Sequence, residues 1–436
     1  MKEELICYRN LNTDELFVEL TDIIDELTSK STSEFEISDV VLKDYKIKLS
    51  SCVSKLIDFS EKSGFDGNLW RVYITYLLVT SENSYSLACE MNSDNIVSIR
   101  SFAENDFVIL KKYFDFDLKK LFDLFDMSFL FSICEYKSAF RDNRPYGRNI
   151  RDRIRELAIK LGNSENTSEF MDTITRFYEK YGVGEYGLHK AFRIGHDSDK
   201  VYIKAINNIQ KITFDDLIGY ESAKKKLIDN TKAFLEGKPA NNCLLYGDAG
   251  TGKSSCIKAL AGEYFEDGLR IIEVYKHEFK DINNIIEKIK GRAYKFIIYM
   301  DDLSFEEFEI EYKYLKAIIE GGLEEKPSNV LIYATSNRRH LIRESFNDKK
   351  SLSDDDIHKN DTVQEKLSLS NRFGVTIYFG SPSPKEFETI VTSLAHKYKI
   401  KMDEDELLLK ARQWEMNHGG LSGRCAKQFV DYLRGF

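Results

Sequence analysis

Residues 247–255 leave this chain few folds to choose from. They read Gly247, Asp248, Ala249, Gly250, Thr251, Gly252, Lys253, Ser254 and Ser255. The apolar segment Asn242–Tyr246 precedes them, and Ile257, Leu260 and Ala261 follow at helical spacing. A strand, the run GxxxxGK[ST] and a helix in that order predict a phosphate loop at the edge of a parallel α/β sheet. Glycines at 247, 250 and 252 let backbone N–H groups approach phosphate oxygens with no Cβ in the way. The helix that follows directs its positive end at the same oxygens. Lys253 supplies a mobile charge for the β- and γ-phosphates, and Ser254 offers a hydroxyl to Mg²⁺. A glycine loop with only a structural task has no need of a lysine and a hydroxyl in succession.

Downstream residues extend the pattern. Forty-eight positions after Lys253, Phe296–Met300 is a buried-strand sequence ending in Asp301 and Asp302. Such a strand delivers Asp301 to the phosphate edge, where it can hold a water of Mg²⁺. Asp302 either orients the attacking water or is a helix N-terminal charge before Leu303–Phe308. Arg270–Tyr275 and Asp281–Ile289 read as a strand and a helix between the two motifs, consistent with βαβαβ winding. Asn329–Asn337 is another apolar strand with a polar end, and Asn337 beside Asp301 can orient water and sense the γ-phosphate. Arg372, thirty-five residues on, sits before the strand Val375–Phe379, where it would reach a nucleotide held by a neighbouring subunit. Gly419–Arg424 opens a final helix, from which Arg424 can contact the γ-phosphate. Each arginine alone reads equally well as an ion-pair partner; their order after the phosphate loop is what singles them out.

The rest of the 436 residues set the frame. At ~100–200 residues per domain the length predicts two or three domains. Residues 1–137 carry 15 basic and 25 acidic side chains, contain no proline, and repeat apolar residues at helical spacing, as in Leu16, Leu20, Ile23, Ile24 and Leu27. They predict a helical bundle with Tyr113–Phe140 in its core. Residues 138–160 reverse the charge through Arg141, Arg144, Arg148, Arg151, Arg153, Arg155 and Lys160. This segment reads as the solvated face of a helix, with nucleic-acid phosphates or an acidic partner as the alternative. Gly182, Gly184 and Gly187 match GxGxxG, but a helical pattern precedes them where a dinucleotide site needs a strand. They read instead as a flexible hinge. The cysteines form no CxxC pair, the seven histidines have no ligand-like spacing, and Asp348 with Asp354–Asp356 lacks the glycine and glutamate of a calcium loop. No apolar run approaches the ~20 residues of a membrane span, and the start lacks a signal-peptide pattern. A cytoplasmic setting is expected.

The series resembles the AAA+ class of P-loop ATPases: Walker A, Walker B, sensor 1, arginine finger and sensor 2 stand in the right order. From Phe214 to Phe436 it is similar to the bacterial family of AAA-type ATPases catalogued as domain of unknown function 815. Phe214–Glu221, Gly247–Ser255, Phe296–Phe305, Ser336–His340, Glu365–Gly374 and Ser422–Arg424 carry that likeness. The resemblance implies that Leu217, Ile218 and Gly219 line an adenine pocket. It departs from the wider class at Asp302, where glutamate is commoner. It implies a mostly helical domain over 1–205, an α/β P-loop core with a parallel five-stranded sheet over 206–383, and a helical lid over 384–436. It also implies ATP or ADP with Mg²⁺ as ligands and a homo-oligomer that moves a protein or protein–nucleic-acid client. Two other readings stand beside this one. The first is a DNA-associated loader, drawing on Arg141–Lys160, Arg338, Arg339, His340 and Arg343. The second is a nucleotide-gated switch or scaffold with little turnover, drawing on Asp302.

Overall fold

A computed structural model describes residues 1–29, 39–92, 96–139, 146–197, 200–207, 209–305, 309–320, 326–338, 341 and 369–435. The chain divides into two compact units, Met1–His189 and Lys190–Phe436.

The first unit is helical, as its apolar spacing predicts. Its helices are α1 (Glu15–Ser29), α2 (Asp39–Ser63), α3 (Leu69–Thr80), α4 (Ser84–Glu90), α5 (Val97–Asp115), α6 (Leu118–Leu124), α7 (Arg148–Gly162), α8 (Thr167–Tyr181) and α9 (Gly184–Leu188). Helix α3 is apolar on almost every side and buried accordingly. Asn68 caps it by accepting the Arg71 N–H. Of the aromatic stretch expected in the core, Tyr113, Phe114, Phe122 and Phe125 are buried, Phe129 is exposed, and Phe140 lies outside the described residues. Polar atoms taken inside with such rings need partners. Trp70 donates to the Tyr113 carbonyl at 2.8 Å, and Tyr178 to that of Leu78 at 2.7 Å. Buried Asp106 accepts the N–H groups of Ile6 and Tyr8, each at 2.9 Å, and so pins the N-terminal segment to α5. The Gly182–Gly187 run is not a hinge. Gly182, at φ 75°, ends α8, and Val183 and Leu188 on either side are buried in this unit's core.

The second unit holds a seven-stranded sheet, with strands β1 (Ala191–Asp197), β2 (Lys200–Ala205), β3 (Cys243–Gly247), β4 (Leu269–Glu273), β5 (Lys295–Met300), β6 (Val330–Ser336) and β7 (Val375–Phe379). Their order is β2-β1-β4-β5-β6-β3-β7. Six of the seven strands run parallel, where a five-stranded sheet was expected. β1 pairs parallel with β4 and turns back antiparallel into β2, so the sheet is mixed. Both strands belong to the second unit, which begins at Lys190. Helices α10 (Glu221–Leu235) and α11 (Lys253–Glu263) bury Leu227, Phe234, Ile257 and Leu260 against Leu245, Ile271, Ile297, Leu331 and Tyr333 of the strands. Helices α12 (Ile282–Ile289) and α13 (Glu311–Glu320) complete the crossovers. The last helices, α14 (Pro384–Lys397), α15 (Glu404–Asn417) and α16 (Gly423–Arg434), pack around their own core of Phe387, Val391, Leu407, Ala411, Phe429 and Val430. No helix among the described residues is long and apolar enough to cross a membrane.

Candidate functional site

Parallel pairing brings three strand ends to one edge of the sheet. Tyr246 pairs with Ser336 and Met300 with Ala334, so the loop after β3, Asp301–Asp302 after β5 and Asn337 after β6 emerge side by side. A cavity of about 620 Å³ opens there. Its lining includes Ala249–Ser255, Asp301, Asp302, Asn337, Arg424 and the segment Leu217–Gly219. Residues from both ends of the second unit's sequence therefore meet on one cavity, a size suited to a nucleotide-sized ligand.

The Lys253 ammonium donates to the carbonyls of Gly247 (2.9 Å) and Asp248 (2.7 Å) and to Asn337 Oδ1 (3.0 Å). Burial pushes its pKa below the ordinary lysine value; Asp302, Asp248 and Asp301 oppose that and Arg424 adds to it. Asn337 in turn donates Nδ2–H to Asp302 Oδ1 at 2.7 Å. Lys253, Asn337 and Asp302 thus form one chain across the cavity.

Asp301 Oδ1 accepts from Ser254 (2.7 Å), Tyr299 (2.7 Å) and Thr335 (2.6 Å). Burial pushes this carboxyl upward, but those donors outweigh it and hold its pKa below the ordinary value. An ionised carboxylate 2.7 Å from a serine hydroxyl is a pair of hard oxygen donors that fits Mg²⁺. Among the described residues no cluster of three or more His, Cys, Asp or Glu could hold a metal by itself. A cation here would therefore need phosphate oxygens and water to complete its shell.

The glycines are needed for reasons the motif does not reveal. A Cβ on Gly247 would lie 2.0 Å from the Phe379 carbonyl oxygen, so only glycine admits β7 here; Gly247 is not among the residues lining the cavity. A Cβ on Gly250 would crowd Arg424 Cβ at 3.0 Å. Gly252 has space but sits at φ 96° as the cap of α11, where a side chain is strained. Gly247→Ala is accordingly expected to be destabilising, by about 2 kcal/mol or more. A lower melting temperature, with faster hydrogen exchange along β3 and β7, would register it.

Not every expected residue lines the cavity. Asp248 turns away and accepts Ser381 N–H and hydroxyl at 2.7 and 2.9 Å, which lower its pKa. Arg372 is not among the lining residues. Asp302 does not open a helix over Leu303–Phe305; it takes a left-handed backbone, φ 49°. Of Arg338, Arg339, His340 and Arg343 only Arg338 is described, and it is exposed. Arg339, His340, Arg343, Glu365–Ser368, Asp348 and Asp354–Asp356 lie outside the described residues, as do Arg141 and Arg144. Sequence reasoning missed several further walls, among them Lys224, Ile390, Leu394, Lys427 and Asp431. It also missed Tyr299, whose hydroxyl reads as one more apolar strand position.

A family profile described as protein of unknown function (DUF815) matches residues 188–436; all of the helical first unit but its last two residues lies outside that match. Among curated relatives, the replication factor C large subunit of Staphylothermus marinus is 39% identical over 80 residues, 18% of each chain. The ATP-dependent zinc metalloprotease FtsH of Aquifex aeolicus is 38% identical over 88 residues, covering 18% of this chain and 13% of that one. A putative 26S proteasome regulatory subunit homologue of Methanocaldococcus jannaschii is 29% identical over 164 residues, or 32% and 44%. The chain thus spans less than half the length of each of these relatives. A solved structure of a mutant of Thermotoga maritima RuvB aligns with a TM-score of 0.37 at 16% identity, covering 52% of this chain and 66% of that one. With the profile covering more than half of its residues, the chain belongs to the DUF815 family, within the AAA+ class of P-loop ATPases.

Proposed function

We propose that this chain binds ATP with Mg²⁺ and hydrolyses it to ADP and phosphate. One observation carries the reading: Lys253, Asn337 and Asp302 are joined by hydrogen bonds on the same cavity that Ser254 and Asp301 enter as a hydroxyl–carboxylate pair. In this reading the N–H groups of Gly250–Ser255 hold the phosphates, and Lys253 exchanges its carbonyl acceptors for β- and γ-phosphate oxygens. Ser254 and Asp301 would hold Mg²⁺, which when bound neutralises phosphate charge. Asp302 and Asn337 orient a water toward the γ-phosphorus; as the new P–O bond forms, the bond to the β,γ-bridging oxygen breaks and Asp302 takes the water's proton. Leu217, Ile218 and Gly219 pack on the adenine. The test is ADP release by the full chain with Mg²⁺ and ATP, which is expected to run over many turnovers. ATP binding with no turnover would favour the switch reading instead.

Helices α14–α16 act as the lid in this proposal, because Ile390, Leu394, Arg424 and Lys427 line the cavity and the Arg424 N–H donates to the Gly250 carbonyl of the phosphate loop at 3.1 Å. Nucleotide state then alters how the lid rests on the core, and that movement is passed to a protein client in the cytoplasm. Arg372 is assigned to a neighbouring copy, since it does not line its own chain's cavity. Arg372→Ala is expected to lose turnover while keeping nucleotide affinity. Mixing it with Lys253→Ala protein should restore part of the activity, because one mixed interface joins an intact loop to an intact arginine. Sedimentation with and without ATP reads the assembly directly. Full activity of Arg372→Ala alone would end the assignment.

A further inference from the structure

A second cavity lies wholly within the helical first unit, between α7 and α8, and nothing in the ATPase reading uses it. Its volume is about 600 Å³. Leu157 and Phe177, both buried, form its floor, and charged side chains from both helices form its rim.

The rim charges are not balanced. Arg153, Lys160, Arg176 and Lys180 line the cavity as cations, against the carboxylates of Glu156, Glu169 and Asp172. Two of the three carboxylates already have partners. Asp172 is paired with Arg100 at 3.3 Å, and Glu169 accepts the Glu165 N–H at 2.9 Å beside the start of α8. Among the described residues Lys160 and Arg176 are in no ion pair. Glu156 stands three residues from Arg153 and four from Lys160, a spacing that allows local pairing, and no ion pair forms between it and Lys160. Cations that ignore an available carboxylate and face a cavity leave a positive field there.

An aromatic ring joins the cations. Arg176, Lys180 and Tyr181 occupy the end of α8, and the Arg153 guanidinium lies over the Tyr181 ring at 3.9 Å, with the Lys180 ammonium 5.0 Å from the same ring. Arg153 and Tyr181 bring two planar, delocalised groups to the lining of the groove. Planes of this kind stack on nucleobases, while lysines beside them take phosphates. An acidic peptide would use the charges but has no ring for the stack, and an apolar ligand would use neither.

We propose that the α7–α8 groove is a binding site for a phosphate-bearing nucleotide group, with phosphates on Lys160, Arg176 and Lys180 and the base against the Arg153–Tyr181 stack. Two sources supply such a group, a free nucleotide and a segment of single-stranded nucleic acid, and both present the same chemistry to the groove.

The test uses the full chain carrying Lys253→Ala, so that the phosphate loop does not contribute. Fluorescence anisotropy is read with a labelled single-stranded oligonucleotide and with a labelled nucleoside triphosphate, each at about 50 mM salt and upward. Binding that falls at least tenfold in Arg176→Glu/Lys180→Glu, and more than twofold in Tyr181→Ala, supports the site. Arg176 and Lys180 are exposed, so the double variant should fold; Tyr181 is half-buried against Phe177, so an unchanged helical circular dichroism spectrum is required of both variants. Preference for the oligonucleotide, with a salt slope that drops by about 2 in the double variant, assigns the polynucleotide form. Preference for the triphosphate assigns the free nucleotide. Absence of binding to either probe overturns the proposal. So does poly-glutamate that competes as well as the oligonucleotide at equal charge, or binding that the rim variants leave intact. Because ATP hydrolysis by the unmodified chain is measured separately, failure here leaves the ATPase reading untouched, and the reverse holds.

Discussion

Asp302→Asn is expected to bind ATP within about threefold of the unmodified chain and to hydrolyse it on the order of 10²–10⁴ times more slowly, the usual contribution of a positioned acid–base group. The local structure explains why the two effects separate. Asp302 occupies a left-handed backbone at φ 49°, a conformation that asparagine and aspartate tolerate better than other side chains. Its N–H donates to Thr335 Oγ1 at 2.9 Å, and asparagine keeps that bond. The substitution keeps the side chain's size and an oxygen for Asn337 while removing the charge and the proton acceptor. ADP release under multiple turnover, beside equilibrium binding of a labelled nucleotide, reads the two quantities. Unchanged turnover would remove Asp302 from the chemistry. The same backbone bears on the glutamate found here in much of the AAA+ class. A longer side chain gains nothing from the left-handed region, which costs about 1 kcal/mol or more for residues other than glycine, asparagine and aspartate. Asp302→Glu is therefore expected to give no faster turnover, despite its closer resemblance to the class.

Residues close together in sequence made the phosphate loop legible, because strand, turn glycines, lysine and helix start are all local requirements. Asp301 and Asn337 were legible for a related reason: each follows an apolar strand, and parallel strands deliver their ends to one edge. What escaped depended on distant partners. The β1–β2 hairpin has alternating Phe192 and Ile194 but is interrupted by polar residues, and only pairing with β4 gives it a place in the sheet. Gly247 looked like a phosphate contact because nothing nearby reveals the Phe379 carbonyl against it. Ile390 and Leu394 repeat at helical spacing and read as core, which they also are; that one edge of this core faces the cavity is a matter of packing. The groove between α7 and α8 was half visible as a run of basic residues. Arg176, Lys180 and Tyr181 complete it from the following helix, whose register against α7 is set by tertiary contact.

Lys253→Ala is expected to weaken ATP binding on the order of 100-fold, since a charge-assisted hydrogen bond contributes up to about 3 kcal/mol, and to lower turnover by a further ~10²–10³. Stability should change little. Removing the ammonium forfeits its bonds to two carbonyls and Asn337, but it also ends the cost of burying a charge. The pH dependence distinguishes this account from a general loss of structure. Burial lowers the Lys253 pKa in the folded chain, so the unfolded chain binds the proton more tightly, and Lys253 makes stability rise with pH between the folded and unfolded pKa values. Nucleotide affinity runs the other way. Phosphates favour the charged lysine, so ATP binding should draw in a proton and weaken as pH rises through the lowered pKa. Calorimetry in buffers of different ionisation enthalpy is expected to show that proton uptake on the alkaline side. Lys253→Arg keeps its charge throughout this range and should abolish both the uptake and the alkaline decline. An alkaline decline that persists in Lys253→Arg would place the titrating group elsewhere in the cavity.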